Sequence, residues 1–215
     1  MNKLSYQTKL YNFRQLISEL FKCENLEKIH DIRSDLMPDH KLDHNNESST
    51  NFHRNFYDFI RDNETFKKTY NNFISNEITK LFDEEIIFQR LPGFRIHLKN
   101  SKAINKWHSD GDEDHRHPKG EINFMLAITD CHLNNTTWVE SSPGKQDFSP
   151  LNMKYGEFYM FNGNECLHGN KYNNSDNTRI SFDFRIIPLS KYNENNSSSN
   201  TTNQKFAVGE YYDKF

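Results

Sequence analysis

The feature that most constrains this chain is a run of short β-branched and aromatic segments between residues 85 and 187, with no helical period between them. They are Glu85 to Gln89, Phe94 to Leu98, Ile104 to His108, Glu121 to Ile128, Thr136 to Glu140, Glu157 to Phe161 and Arg179 to Ile187. Gly, Pro, Asn and Asp clusters such as Pro92-Gly93 separate them, and those residues favour turns. Strands that follow one another without crossover helices pair antiparallel, so the spacing predicts a sandwich or barrel of the jelly-roll kind.

The chain before residue 85 has a different texture. Leu10, Phe13, Leu16, Ile17, Leu20 and Phe21 recur at three- and four-residue steps, which predicts an amphipathic helix from Tyr6 to His30. A polar stretch from Pro38 to Thr50 reads as a loop. Helical spacing then resumes at Phe52, Phe56, Phe59 and Ile60, and again at Phe66, Tyr70, Phe73, Ile74, Ile78 and Leu81. The fold class expected is therefore α+β, with N-terminal helices (about 1–84) packed on a β part (about 85–192) in a single catalytic domain. With 18 Phe and 10 Tyr, the core must be filled largely by rings.

After residue 192 the run Asn-Glu-Asn-Asn-Ser-Ser-Ser-Asn-Thr-Thr-Asn is too polar to pack, so 193–205 reads as a flexible linker. Residues 206–215 carry four aromatic rings and have two readings, a segment that folds back on the domain or an unpacked tail.

Charge and cysteine content narrow the function. A net charge of -3 with interspersed signs offers no basic stripe, which argues against nucleic acid as a partner. No apolar run is long enough to span a bilayer and the N-terminus lacks a signal-peptide core, so the expectation is a soluble, cytoplasmic protein without a membrane partner. Cys23, Cys131 and Cys166 are odd in number and widely spaced, fitting free thiols better than disulfides or a CxxC clip.

Three positions carry metal chemistry. In Trp107-His108-Ser109-Asp110 an imidazole and a carboxylate two residues apart project to one face of an extended segment. His168 supplies a second imidazole after the strand ending at Phe161. Two His and one carboxylate on one face of an ion leave the opposite positions open, as in non-haem Fe(II) oxygenases. Eleven residues beyond His168, Arg179 and Ser181 point to one side of a strand, where a guanidinium and a hydroxyl can together grip a carboxylate. Arg185 shares that face and competes for the role, although an acid such as Asp183 or Glu157 offers it a partner. His115 and His117 are rival metal ligands in a charged loop.

The HxD pair, the later His and the Arg-x-Ser resemble the Fe(II)/2-oxoglutarate-dependent dioxygenases, and more closely the streptomycin-biosynthesis type within the phytanoyl-CoA-dioxygenase-like group. That likeness runs from about Gln89 to Leu189 and rests on Gly120-Glu121-Ile122-Asn123-Phe124, Trp138-Val139-Glu140-Ser141, Tyr155-Gly156-Glu157-Phe158, Phe161-Asn162-Gly163-Asn164, His168-Gly169-Asn170 and Thr178-Arg179-Ile180-Ser181-Phe182-Asp183-Phe184-Arg185. It implies a double-stranded β-helix (a cupin-like jelly roll), catalytic and metal-binding residues His108, Asp110 and His168, and 2-oxoglutarate held by Arg179 and Ser181. It further implies molecular oxygen as co-reactant, succinate and carbon dioxide as co-products, and hydroxylation of a small polar substrate such as a sugar, cyclitol or amino acid derivative. In related halogenating enzymes a small residue replaces the carboxylate, whereas Asp110 is present here.

Asn123 has two readings, a contact to the keto-acid end of the co-substrate or an ordinary buried amide. Trp107, Trp138 and Glu140 are candidates to line the substrate pocket, and Asn162, Gly163, Asn164 and Asn170 to shape the turns around His168. The segment Gly111-Asp112-Glu113-Asp114-His115-Arg116-His117 is more charged than the resemblance predicts. Two other functions use the same residues: a cupin-type metalloenzyme without 2-oxoglutarate, in which Arg179 is structural, and a non-catalytic β-barrel binding module.

Overall fold

The computed structural model describes residues 1–37, 50–102, 106–194, 197–200 and 203–215. The loop read between Pro38 and Thr50 therefore falls, up to residue 49, outside the described residues, as do Ile104 and Asn105 at the start of the Ile104 to His108 segment.

Strand β1 is Asn2–Ser5, followed by helix α1 (Phe13–Phe21) and a short helix α2 (Ile29–Ile32). Helices α3 (Asn51–Asp62) and α4 (Glu64–Phe73) come next, then strands β2 (Ile86–Gln89), β3 (Gly93–His97), β4 (Ile122–Ala127) and β5 (Thr137–Val139). The chain ends through β6 (Ser149–Pro150), β7 (Glu157–Phe161), β8 (His168–Asn170), β9 (Arg179–Pro188) and β10 (Tyr212–Asp213). Every strand pairing is antiparallel. The larger sheet has the order β1-β7-β4-β9-β2-β10, with β3 also paired to β9, and the smaller one the order β6-β5-β8.

Strand alternation sorts the side chains into two layers. In β4, β7 and β9 the residues Phe124, Leu126, Phe158, Ile180, Phe182, Phe184 and Ile186 face the helices and form one core with them. Their neighbours Asn123, Met125, Phe161, Arg179, Ser181, Asp183 and Arg185 face the other way and line a cavity. A second apolar cluster, including Met125, Val139, Leu151, Met153, Phe161 and Cys166, packs the larger sheet against the smaller.

The helices start where the sequence supplies caps. The Thr50 hydroxyl accepts from the His53 N–H at the start of α3, and the Asn63 side chain accepts from the Phe66 N–H at 2.8 Å at the start of α4. Rings then fill the helix–sheet interface. Phe56 stacks on Phe94 at a centroid distance of 4.5 Å, Phe124 stacks on Phe184 at 5.1 Å, and Phe73 meets Phe158 and Phe184 edge-on. Each such contact adds on the order of 0.5–1.5 kcal/mol to the burial itself.

Three expectations need correction. The segment Tyr6 to His30 does not form one helix, because α1 stops at Lys22, which takes the left-handed conformation with φ 50°. Residues 2–5 form a strand on the edge of the larger sheet, paired with β7; with only Leu4 half-buried against the core among four residues, it has too little alternation to betray it. β8 was not anticipated as a strand, being three residues long.

The aromatic tail folds back. Tyr212 and Asp213 pair with Gln89 and Phe88, while Phe206, Tyr211 and Tyr212 are buried with Ile87 and Ile187. Described residues of 193–205 are not simply a polar tether: Ser199 is buried, its N–H donates to the Gln204 carbonyl, and Ser198 bridges to Lys205. No described helix is long and apolar enough to cross a membrane.

Candidate metal and keto-acid site

His168 lies at the start of β8, and His108 pairs with it backbone to backbone, each N–H donating to the other's carbonyl at 2.9 Å. That bridge extends the smaller sheet by one position and brings both imidazoles to the cavity wall. Asp110 follows, with its N–H donating to the Gly163 carbonyl at 2.9 Å. Gly163 is required there, since a Cβ would fall 2.6 Å from the Asn123 carboxamide carbon.

The three side chains converge. His108 Nε2 is 3.3 Å and His168 Nε2 3.6 Å from Asp110 Oδ1, and the ligand atoms of the three lie within 4.8 Å of one another. Both rings are oriented by their other nitrogens: His108 Nδ1 lies 2.6 Å from the Lys106 carbonyl and His168 Nδ1 3.0 Å from the Cys166 carbonyl. Carbonyls only accept, so each Nδ1 carries the proton and each Nε2 lone pair faces the carboxylate. Two neutral imidazole nitrogens and one carboxylate oxygen fit a divalent ion with further open positions.

Asp110 is almost fully buried, with its far oxygen fully engaged. Oδ2 accepts from Asn123 Nδ2 at 2.7 Å and from Arg185 Nη2 and Nε at 2.9 and 3.1 Å. Burial raises the carboxyl's pKa, but the Arg185 guanidinium outweighs it and holds the group well below the usual carboxylate range. Oδ1 is thereby the oxygen left to face a metal. Burial also pushes His168 down to about 4, so its ring is neutral at pH 7.

The two arginines on β9 have opposite surroundings. Arg185 is neutralised twice, by Asp110 and by Asp183 at 2.5 Å, and Asp183 in turn takes Arg95 at 2.6 Å. Glu157, the other acid considered for it, pairs instead with Lys3. Arg179 is just as buried but touches only neutral acceptors: Nε donates to the Asn135 carbonyl at 3.0 Å, Nη1 to Ser181 Oγ at 2.8 Å and Nη2 to Asn170 Oδ1 at 3.0 Å. Among the described residues no carboxylate lies within ion-pair distance of it. Burial lowers its pKa to about 10, still charged at pH 7. Three of five N–H groups are spoken for, which leaves two for an anion.

Several sequence candidates land elsewhere. His115 hydrogen-bonds Asp112 and stacks on His108 at 4.1 Å, covering the ligand from outside. His117 and Glu121 do approach Asp110, but His117 donates to Glu121 at 2.9 Å and Tyr212 occupies the other Glu121 oxygen. Asn123 contacts Asp110, rather than Arg179 or Ser181, with one of its N–H groups. Trp107, Trp138 and Glu140 are not among the cavity-lining residues. Glu140 instead accepts from the N–H groups of Gly144, Gln146 and Leu167 and so ties down a loop. Trp107 lies across Gly169, where a Cβ would come within 2.6 Å of the indole.

Sequence reasoning missed His97 and the contact of Asn170 with Arg179. His97 pairs with Arg179 across β3 and β9, lines the cavity, and has an unpartnered, buried Nδ1. Burial, and then Arg179, push it down to about 3. The available signal was strand alternation in β3, which places Arg95 and His97 on the inner face.

Comparison with known proteins follows the same line. The streptomycin biosynthesis protein StrG of Streptomyces griseus is 32% identical over 211 residues, covering 98% of this chain and 96% of StrG. No family model matches. Among solved structures, CytC3 aligns with a TM-score of 0.50 at 13% identity, over 87% of this chain and 72% of its own. AviO1 of Streptomyces viridochromogenes Tue57 aligns at 0.46 and 10% identity, over 88% of this chain and 89% of its own. At such identities the likeness to CytC3 concerns the fold alone.

Proposed function

We propose that this chain, which belongs to the family of the streptomycin-biosynthesis protein StrG, is a non-haem Fe(II) oxygenase that uses 2-oxoglutarate and hydroxylates a small polar molecule. The observation that carries the reading is Arg179, a buried cation with no counter-ion among the described residues, lining the same cavity as two inward-facing imidazoles. A buried charge is costly unless paired. A dicarboxylate with a chelating keto end would satisfy both ends of this cavity at once.

In this reading His108, Asp110 and His168 hold the metal, Arg179 and Ser181 hold the far carboxylate of 2-oxoglutarate, and the two sheets form a double-stranded β-helix around them. Asn123 and Arg185 fix Asp110 so that one oxygen alone faces the ion. Once bound, iron and the keto acid would supply oxidative decarboxylation to succinate and carbon dioxide and the oxidant for a C–H bond. The protein's part is to orient the ligands, exclude water with Phe161 and Met125, and present the substrate. As a third ligand Asp110 would occupy the place that a halide would need, which favours hydroxyl transfer. Substrates of the sugar, cyclitol or amino acid derivative class accord with the name of the StrG relative.

The test is turnover with Fe(II), labelled oxygen and excess chloride across candidate substrates, read as succinate and product mass. Substrate-dependent succinate with one labelled oxygen in the product is expected. A chlorinated product, or oxidation without succinate, sinks the assignment. The second outcome favours a cupin-type enzyme in which Arg179 is structural.

A further inference from the structure

Resting on the reading of Arg179 as the co-substrate anchor, we infer that Asn170 is a positioning residue that aims this arginine, keeps it unneutralised, and thereby sets the length of keto acid the site accepts. His168 and Asn170 are alternate residues of β8, so they share its inner face about 6.4–6.8 Å apart along the strand. One short strand thus carries a metal-facing imidazole and the group that holds the anchor. A rigid spacing between the two ends of a bound molecule follows from that.

The contacts are specific. Asn170 Oδ1 accepts from Arg179 Nη2 at 3.0 Å and from Thr137 Oγ1 at 3.2 Å. Arginine only donates, so the carboxamide oxygen must face the guanidinium. Together with the Asn135 carbonyl and Ser181 Oγ, it leaves Arg179 tethered at all three nitrogens by neutral oxygens. An aspartate at 170 would occupy the same volume yet supply the missing anion from within the protein. The site therefore depends on an amide at this position, because a carboxylate would compete with the ligand for the charge.

The experiment uses the full-length protein loaded with Mn(II), titrated calorimetrically with 2-oxoglutarate, oxaloacetate and 2-oxoadipate, alongside thermal melts of the metal-free protein. Asn170→Asp is expected to weaken 2-oxoglutarate binding by about 10- to 100-fold, the loss of a charge-assisted contact. Its melting temperature should equal or exceed that of the wild type, since Arg179 gains a buried partner. A merely structural residue would show the opposite sign. Asn170→Ala frees the guanidinium to pivot, so discrimination between 2-oxoglutarate and 2-oxoadipate should narrow while Mn(II) affinity holds. If the wild type binds 2-oxoglutarate and Asn170→Asp binds it within about twofold, the role of Asn170 is overturned. If the wild type binds Mn(II) but no keto acid, the co-substrate reading itself fails, and this inference with it.

Discussion

Replacing Arg185 by methionine leaves Asp110 and Asp183 buried on the face where their shared cation stood. Arg185 makes two hydrogen bonds to Asp110, at 2.9 and 3.1 Å, and one to Asp183 at 2.5 Å. Asp183 keeps Arg95, but Asp110, 1% exposed, keeps only neutral donors. Removing one partner of such a buried pair costs about 3–5 kcal/mol, a large share of the 5–15 kcal/mol that holds a typical domain together. A divalent cation at Asp110 Oδ1 would restore opposite charge beside the carboxylate, so the deficit should shrink by at least about 1 kcal/mol with saturating Mn(II). Urea denaturation of wild type and Arg185→Met, each with and without Mn(II), measures both quantities. Arg61→Met is the control, because its ion pair with Asp58 is exposed and contributes roughly 0–1 kcal/mol. A loss below about 1 kcal/mol in Arg185→Met, or one indifferent to Mn(II), would refute the reasoning.

Arg179→Ala should raise the dissociation constant for 2-oxoglutarate at least about tenfold while leaving Mn(II) affinity unchanged, as read by calorimetry. His108→Ala and His168→Ala should each abolish tight Mn(II) binding with the fold intact by circular dichroism; unchanged affinity in both would move attention to His117 and Glu121. His53 and His97 are buried, and burial lowers them from 6.5 to about 4 and about 3. Their stabilising effect is therefore complete above pH 6.5 and lost as pH falls, by about 2 kcal/mol each at pH 5. Denaturation midpoints from pH 7.5 to 5 should drop accordingly, and less steeply in His97→Gln.

The β architecture was legible because alternation in β4, β7 and β9 is strong, and the helices were legible because Phe and Ile recur at helical steps. The ends of elements were not. Nothing around Lys22 announces a left-handed cap, and β1, on a sheet edge, turns only Leu4 toward the core. At the site, residue types and spacing brought His108, Asp110, His168, Arg179 and Ser181 to notice, and the fold gathers them around one cavity. What spacing could not convey is the full pairing: Asp183 was a visible partner for Arg185, but that Asp110 also neutralises it, while Arg179 meets only neutral acceptors, is seen only in the fold. Likewise Asn170 reads as a turn residue until the guanidinium is seen on its side chain.

The central claim is most directly tested by anaerobic titration of the Fe(II)-loaded protein with 2-oxoglutarate, following visible charge-transfer absorption. The account predicts a band that saturates at one keto acid per chain, requires iron, disappears in His168→Ala and needs far more 2-oxoglutarate in Arg179→Ala. Iron binding with no band, or a band equally strong in Arg179→Ala at the same concentration, would contradict it.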